Sequence, residues 1–396
     1  MKKDFLFFHH RPNLVYLDNA ATTQKPQAVI TAMSDFYERT NSNIHRGPNF
    51  LAEEATMAYE SARQTVADFV HAKHRHEIIF TRNATEGINL VARSFGDAFF
   101  NAGDEVLLTT LEHHSNIVPW LQLKERKGIS VRYINIANDG QLVFDKSQFN
   151  EKTKLLAITG MSNGLGVIPD LKPFVDAAHA IGAKVLVDAT QLAVHRKVDV
   201  QAMGVDFLVC TGHKLYGPTG IGVLWAREEL LEAMPPFLGG GDMIAQITTH
   251  GFVSAELPNK FEAGTPNIAG AIGLKAALEY LQNIGYEKIR STESELTSYL
   301  LDHLKKIPSL KIIGPKQAEH RGSIVSFVMD GIHPHDIAEG LSQKQICIRA
   351  GQHCNQILMD HLGIPGTARI SLAFYSTKEE IDRTIEVLGE IYEYFK

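Results

Sequence analysis

Residues 205–225, VDFLVCTGHKLYGPTGIGVLW, place the tightest constraint on the fold. Two short apolar runs, 205–210 and 220–225, read as buried strands. Between them the chain must turn through Thr211, Gly212, His213 and Lys214, with Gly217 and Pro218 punctuating a tight loop. Lys214 therefore falls just past the C-terminal end of a core strand. An ammonium group is costly to bury without a partner. A buried amine loses proton affinity and becomes a nucleophile, as a lysine that forms a covalent imine must. The alternative is a lysine that snorkels from the loop to solvent, and this stretch alone leaves both open.

The rest of the chain is organised in alternating units. Strands are predicted at 77–80, 104–110, 130–136, 154–159 and 184–188, with helices at 117–127 and 171–181 and a turn into a helix from 81 to about 94. Strands alternating with helices argue for a mainly parallel sheet covered on both faces. Earlier, 15–18 reads as a short strand, 27–38 as a helix, and Ala55, Ala58, Ala62, Val66 and Phe69 share one helix face. Residues 235–241 are Pro/Gly-rich, 242–267 read as irregular or hairpin structure, and 268–283 as a helix. The texture then changes: helix 287–306, strand 323–329, a helix near 334–342, strands near 345–349 and 368–374, and a last helix from Lys378. This predicts a large unit over 20–285 and a smaller α+β unit over 286–396, with 1–19 packing on the latter.

Composition excludes several classes. At 396 residues with 21% charged and 44% hydrophobic residues, the chain is an ordinary globular protein of roughly two domains. A net charge of −6 gives no footprint for nucleic acid. No apolar run is long enough to span a membrane, and the first residues are too short a run for a secretory leader. The cysteines, Cys210, Cys347 and Cys354, are odd in number and form no C-x-x-C pair, which points to a reducing, cytoplasmic setting. The 18 histidines show no metal-ligand spacing, so no metal is expected.

Polar residues recur where strands end: Thr85, His113, Asn163, Asp188, Gln191 and Lys214. In a parallel sheet these ends face one crevice, where ligands bind. The turn at 83–87 suits a phosphate, with Thr85 adding a hydroxyl, or is a plain helix cap. Asp188 can hold a pyridinium nitrogen protonated, or cap a helix. His113 can stack on a flat cofactor and move protons near neutral pH, or be structural. Cys354 has polar, loop-like flanks, whereas Cys210 and Cys347 sit inside apolar patterns.

Together the residues resemble a pyridoxal-phosphate enzyme of fold type I, in the class V aminotransferase branch. Within it the chain is similar to the group II cysteine desulfurases and selenocysteine lyases. The resemblance lies in YLDNAATTQKP (16–26), NIHRGPN (43–49), TEGINLVA (85–92), EHHSNIVPW (112–120), LAITGMSNGLG (156–166), KVLVDATQ (184–191), TGHKLYGPTGIGVL (211–224), GGGDMI (239–244), FEAGTPN (261–267), IRAGQHCNQILM (348–359) and ISLAFYST (370–377), in family order along almost the whole chain.

The resemblance implies an α/β fold with a seven-stranded, mainly parallel sheet and a smaller C-terminal α+β domain. It implies pyridoxal 5'-phosphate bound through Lys214, with His113 stacked on the ring, Asp188 at the pyridinium and Gln191 at the phenolic oxygen. Thr85, Thr211 and His213 would hold the phosphate, with Thr265 reaching in from a second subunit. Asn163 and Arg369 would take the substrate carboxylate, and Arg349 and His45 would line the site. Cys354 would accept sulfur from L-cysteine, leave it as a persulfide, and hand it to an acceptor protein serving iron–sulfur assembly. A homodimer is implied, selenocysteine or cysteine sulfinate are alternative substrates, and a non-catalytic sulfur-carrier or scaffold protein is a weaker alternative. Departures from the family wording are Ala84, where a hydroxyl is usual, Asp-Ala-Thr-Gln at 188–191 instead of Asp-Gly-Ala-Gln, and Gly160-Met161 where one subgroup has His-Val.

Overall fold

The structure, a computed structural model, describes residues 1–45 and 47–396. Arg46, inside the 43–49 motif, lies outside the described residues. Seven strands form the large sheet: β1 (Ile78–Thr81), β2 (Glu105–Thr109), β3 (Ser130–Ile134), β4 (Thr153–Thr159), β5 (Lys184–Asp188), β6 (Phe207–Thr211) and β7 (Gly222–Ala226). Their order is β1-β7-β6-β5-β4-β2-β3. Only β7 runs against its neighbours; the other pairings are parallel. Every residue of β2, β6 and β7 is buried, which is why these strands read as unbroken apolar runs without alternation.

The two runs that opened the sequence reading are adjacent strands, paired from Phe207↔Ala226 to Thr211↔Gly222. The loop between them carries Lys214 at the carboxyl end of β6. Gly222 matters here: a Cβ would lie 2.5 Å from the backbone of Asn83. Its absence lets the start of helix Ala84–Leu90 press against β7.

A second, antiparallel sheet comprises β8 (Leu310–Ile313), β9 (Ile324–Met329), β10 (Arg349–Gly351) and β11 (Thr367–Ser371), in the order β8-β9-β11-β10. The strand expected at 345–349 is split. Ile346–Cys347 pairs in parallel with Val15–Tyr16, while Arg349–Gly351 joins the small sheet through Arg349↔Arg369. The strand Leu310–Ile313 was not anticipated; its residues are partly exposed, so hydrophobic patterning marks it weakly. Residues 244–254 form a hairpin, Ile244–Thr248 against Gly251–Ser254. No helix among the described residues is long and apolar enough to cross a membrane.

The N-terminal segment reaches further than expected. Besides the Val15–Tyr16 pairing, Asn19 Nδ2 donates to the Ser371 carbonyl at 2.8 Å. Phe5, fully buried, packs edge-on against Tyr375 at 4.7 Å and also meets Tyr216, Tyr280 and Phe374. Tyr216 lies two residues beyond Lys214. Phe5 thus plugs a joint between helix Ile268–Ile284, the Lys214 loop and the small sheet's exit strand. Replacing it with alanine should destabilise the protein by about 3–5 kcal/mol, the usual range for emptying a buried phenylalanine site. The midpoint of urea unfolding reports this; an unchanged midpoint would mean that the segment is dispensable.

Candidate active site

The carboxyl ends of β4, β5 and β6 open into a cavity of about 210 Å³. Lys214, Asp188, Gln191, Thr211, His213, His113, Thr85, Asn163, Arg349 and Arg369 all line it. The large sheet supplies most of these; β10 and β11 of the small sheet supply the two arginines. The site is therefore closed by the packing of one sheet's strand ends against the edge of the other.

Lys214 is half-buried in the wall. Burial pushes its amine down to about 8; Asp188 opposes the shift, and the charges of Arg369 and Arg349 add to it. Its loop is fastened from behind. Lys25 Nζ donates to the carbonyl of His213 at 2.7 Å, and Thr23 Oγ1 accepts from the backbone N–H of Tyr216 at 3.0 Å. Burial likewise lowers Lys25, to about 7. Asp188 holds one oxygen on the Thr190 N–H at 2.9 Å, and Gln191 donates to the Ala20 carbonyl at 2.8 Å.

His113 is neutral. Burial first, then the nearby charges of Lys214 and His114, lower it to about 3. Its Nδ1 accepts the backbone N–H of Ser115 at 3.0 Å, so the ring proton sits on Nε2. Ser115 Oγ continues to Thr85 Oγ1 at 2.7 Å, linking the histidine to the turn at the end of β1.

Arg369 is fully buried and spends its amino groups on Asp18 Oδ1 (3.0 Å) and the Asn163 carbonyl (2.9 Å), leaving Nε without a partner. Burial lowers it to about 10. Thr211 and Thr190 also line the cavity with hydroxyls that have no partner. Buried polar groups are rarely left unpaired. Two spare hydroxyls and a spare guanidinium N–H on residues that line one cavity fit a ligand with anionic oxygens. Thr190 comes from a departure in the family wording, so the hydroxyl absent at Ala84 is matched by one gained elsewhere on the wall. The other departure has a packing reason: a Cβ at Gly160 would lie 2.8 Å from Leu192.

Cys354 is half-buried, with its Sγ 3.9 Å from the Arg349 guanidinium. It occupies the left-handed region (φ 59°), as does His353 (φ 55°). Two successive non-glycine residues there are strained, by roughly 1–2 kcal/mol each. Hydrogen bonds hold the turn in place. His114 N–H donates to the Cys354 carbonyl (2.8 Å), Asn163 Nδ2 to the His353 carbonyl (2.8 Å), and Asn355 Nδ2 to the carbonyls of Leu111 and Glu112 (3.1 and 3.0 Å). The thiol is thus presented on a clamped turn.

A family model described as aminotransferase class-V matches residues 15–384. The chain belongs to that family. Among its relatives, a probable cysteine desulfurase of Streptomyces coelicolor is 46% identical over 405 residues, covering 100% of this chain and 97% of the relative. One from Staphylococcus aureus is 46% identical over 398 residues, covering 99% and 96%. Among solved structures, the apo cysteine desulfurase of Thermococcus onnurineus superposes with a TM-score of 0.94 at 38% identity, covering 99% of this chain and 97% of that one. The cysteine desulfurase CsdA of Escherichia coli, in an S-sulfonic acid form, gives 0.92 at 37%, covering 100% and 98%.

In this class-V family member, two of the residues expected at the site lie elsewhere in the single chain. His45 faces Glu60, with Nε2 at 3.2 Å from its carboxylate. Thr265 borders a separate hollow with Arg82, Glu86 and Asn267. The two segments meet through Arg63, which ion-pairs with both Glu60 and Glu262. Sequence reasoning missed Asp18, Lys25, Glu112, Ser115 and Asn355. Each sat inside a motif quoted for its neighbours, and a buried acid or lysine in such a motif was the available signal.

The lowered basicity of Lys214 is measurable. In cofactor-free protein, competitive acetic anhydride labelling should show its amine becoming reactive with a midpoint near 8, because burial favours the uncharged form. A midpoint at the ordinary lysine value would mean that the amine is solvated.

Proposed function

We propose that this chain is a pyridoxal 5'-phosphate-dependent cysteine desulfurase, converting L-cysteine to L-alanine and leaving the sulfur as a persulfide on Cys354. One observation carries the reading: a single cavity joins a low-basicity lysine, an aspartate and a buried arginine, with a thiol on a clamped turn beside it. Its unpaired hydroxyls and guanidinium N–H support the fit of a phosphorylated cofactor. When bound, pyridoxal phosphate supplies an aldehyde carbon that amines attack and a ring that takes up an electron pair.

The chain's own residues then have distinct tasks. Lys214 would hold the cofactor through Nζ and would carry the proton at the substrate Cα. Asp188 would keep the ring nitrogen protonated, Gln191 would face the phenolic oxygen, and His113 would offer its face and its Nε2–H. Thr85, Thr211 and His213 would hold the phosphate. Arg369 Nε is free for the substrate carboxylate, with Asn163 beside it. Cys354 attacks the substrate sulfur: the S–S bond forms, the Cβ–S bond breaks, and alanine leaves after protonation. Arg349 stabilises the thiolate that this requires.

Thr265 and His45 face away from this cavity, which supports a homodimer in which they complete the partner's site. We further infer a large unit over 20–285 and a small one over 286–396, with 1–19 on the latter; that the two sheets are separate supports this division. The clamped turn supports a separate acceptor protein that comes to the sulfur, and iron–sulfur assembly as its destination. Three cysteines without a disulfide support a reducing, cytoplasmic location.

A second reading is cysteine sulfinate desulfination or selenocysteine cleavage. The Arg349 guanidinium near Cys354 favours it, since it could hold an anionic leaving group. Cys354→Ala separates the two. Incubated with L-cysteine, it should release no alanine and carry no persulfide; with cysteine sulfinate it should still release alanine. Undiminished alanine release from L-cysteine would refute the thiol's role. In parallel, borohydride should trap a pyridoxyl adduct at Lys214 in the wild type and none in Lys214→Ala.

A further inference from the structure

Glu112 is completely buried in the turn that follows β2. Nothing in the chemistry proposed above uses it. Its Oε1 accepts from Thr109 Oγ1 at 2.6 Å and from the backbone N–H of Thr159 at 2.9 Å; its Oε2 accepts from Asn116 Nδ2 at 2.7 Å. Thr109 Oγ1 itself accepts the Leu111 N–H at 3.1 Å, which directs the hydroxyl proton at Glu112. Asn116 Oδ1 accepts the Trp120 indole N–H at 3.1 Å, which fixes the amide with its NH₂ toward the carboxyl. All three partners of this carboxyl are therefore donors. Burial, and to a smaller extent the negative charge of Asp188, push the group up to about 8 even against the pull of the three donors.

The same short segment touches both working ends of the cavity. His113, the next residue, lines the wall. Thr159, gripped through its N–H, ends β4 and lines it too. On the outer side, the carbonyls of Leu111 and Glu112 accept Asn355 Nδ2, and His114 holds the Cys354 carbonyl through its N–H. His114 Nε2 also accepts the Gln356 N–H at 3.1 Å. The turn is thus grasped from inside by one side chain and grasps the cysteine turn from outside with its backbone.

We propose that Glu112 is a positioning residue that sets His113 and Cys354 at a fixed separation, by locking the turn to which both are attached. This rests on the function proposed above and adds a residue that touches neither cofactor nor substrate. Above about pH 8, where the carboxyl is ionised, each of its three donors finds an acceptor. Glutamine has nearly the same shape, but its amide NH₂ would face a donor whichever way it turned.

The test uses Glu112→Gln in the purified full chain at pH 9, where the wild-type carboxyl is ionised, with circular dichroism to verify folding. Two readouts are taken. One is the absorbance maximum of bound pyridoxal phosphate, which responds to His113. The other is the rate of Cys354 alkylation by iodoacetamide, read by peptide mass with Cys347 as internal reference. The expected result is that both change: the band shifts, and alkylation of the loosened thiol rises several-fold. If the variant folds and either readout stays at the wild-type value, the coupling role is overturned. If it does not fold, Thr109→Val, which removes only one of the three donors, is read by the same criteria. A wild type that shows no cofactor band would instead sink the proposed function, and the alkylation arm would still report on Glu112.

Discussion

Everything around the cavity follows from keeping one lysine amine short of a full counter-charge. The loop after β6 brings Lys214 into the carboxyl-end crevice, where Asp188 and, more weakly, Cys354 oppose the effects of burial and two arginines. A position so unfavourable to an ammonium ion persists only if the surrounding backbone leaves it no easier exit. The Thr23 and Lys25 contacts provide that restraint from the N-terminal loop, and β7 provides it from the other side. The parallel sheet supplies the crevice, and the small sheet supplies its lid of guanidinium groups.

The same logic applies to the thiol. Cys354 sits in a backbone conformation that side chains resist, and its turn is retained by hydrogen bonds from Asn163, His114 and Asn355. These donors belong to the large sheet's loops and to the cysteine turn itself. The distance between amine and sulfur is therefore a property of how the two sheets are packed. Arg369 adds to this: from β11 it is anchored on Asp18 and reaches across the same boundary to the Asn163 carbonyl.

Much of this was legible in the sequence. The fully buried strands announce themselves as apolar runs, and polar residues at their ends mark the crevice; Lys214, Asp188, Gln191 and His113 were found that way. The family wording carried the fold class. Other features could not be read. Leu310–Ile313 is too exposed to show a pattern, and the split of 345–351 between two pairings depends on where Val15 arrives. Hydrogen bonds across hundreds of residues, such as Asn355 to Glu112, leave no local periodicity. Left-handed residues that are not glycine, such as His353, carry no compositional mark. His45 and Thr265 lie outside the cavity of a lone chain, and motif spacing gives no warning of that.

Phe5 has a practical consequence for anyone handling the protein. Only three residues separate the exposed Met1 from an aromatic ring wedged against Tyr216, near the buried Lys214 amine. A bulky fusion or affinity handle added upstream would pull on that wedge and be felt at the loop it braces. The opposite end, where Lys396 closes an exposed last turn, carries no such leverage and is the safer point of attachment.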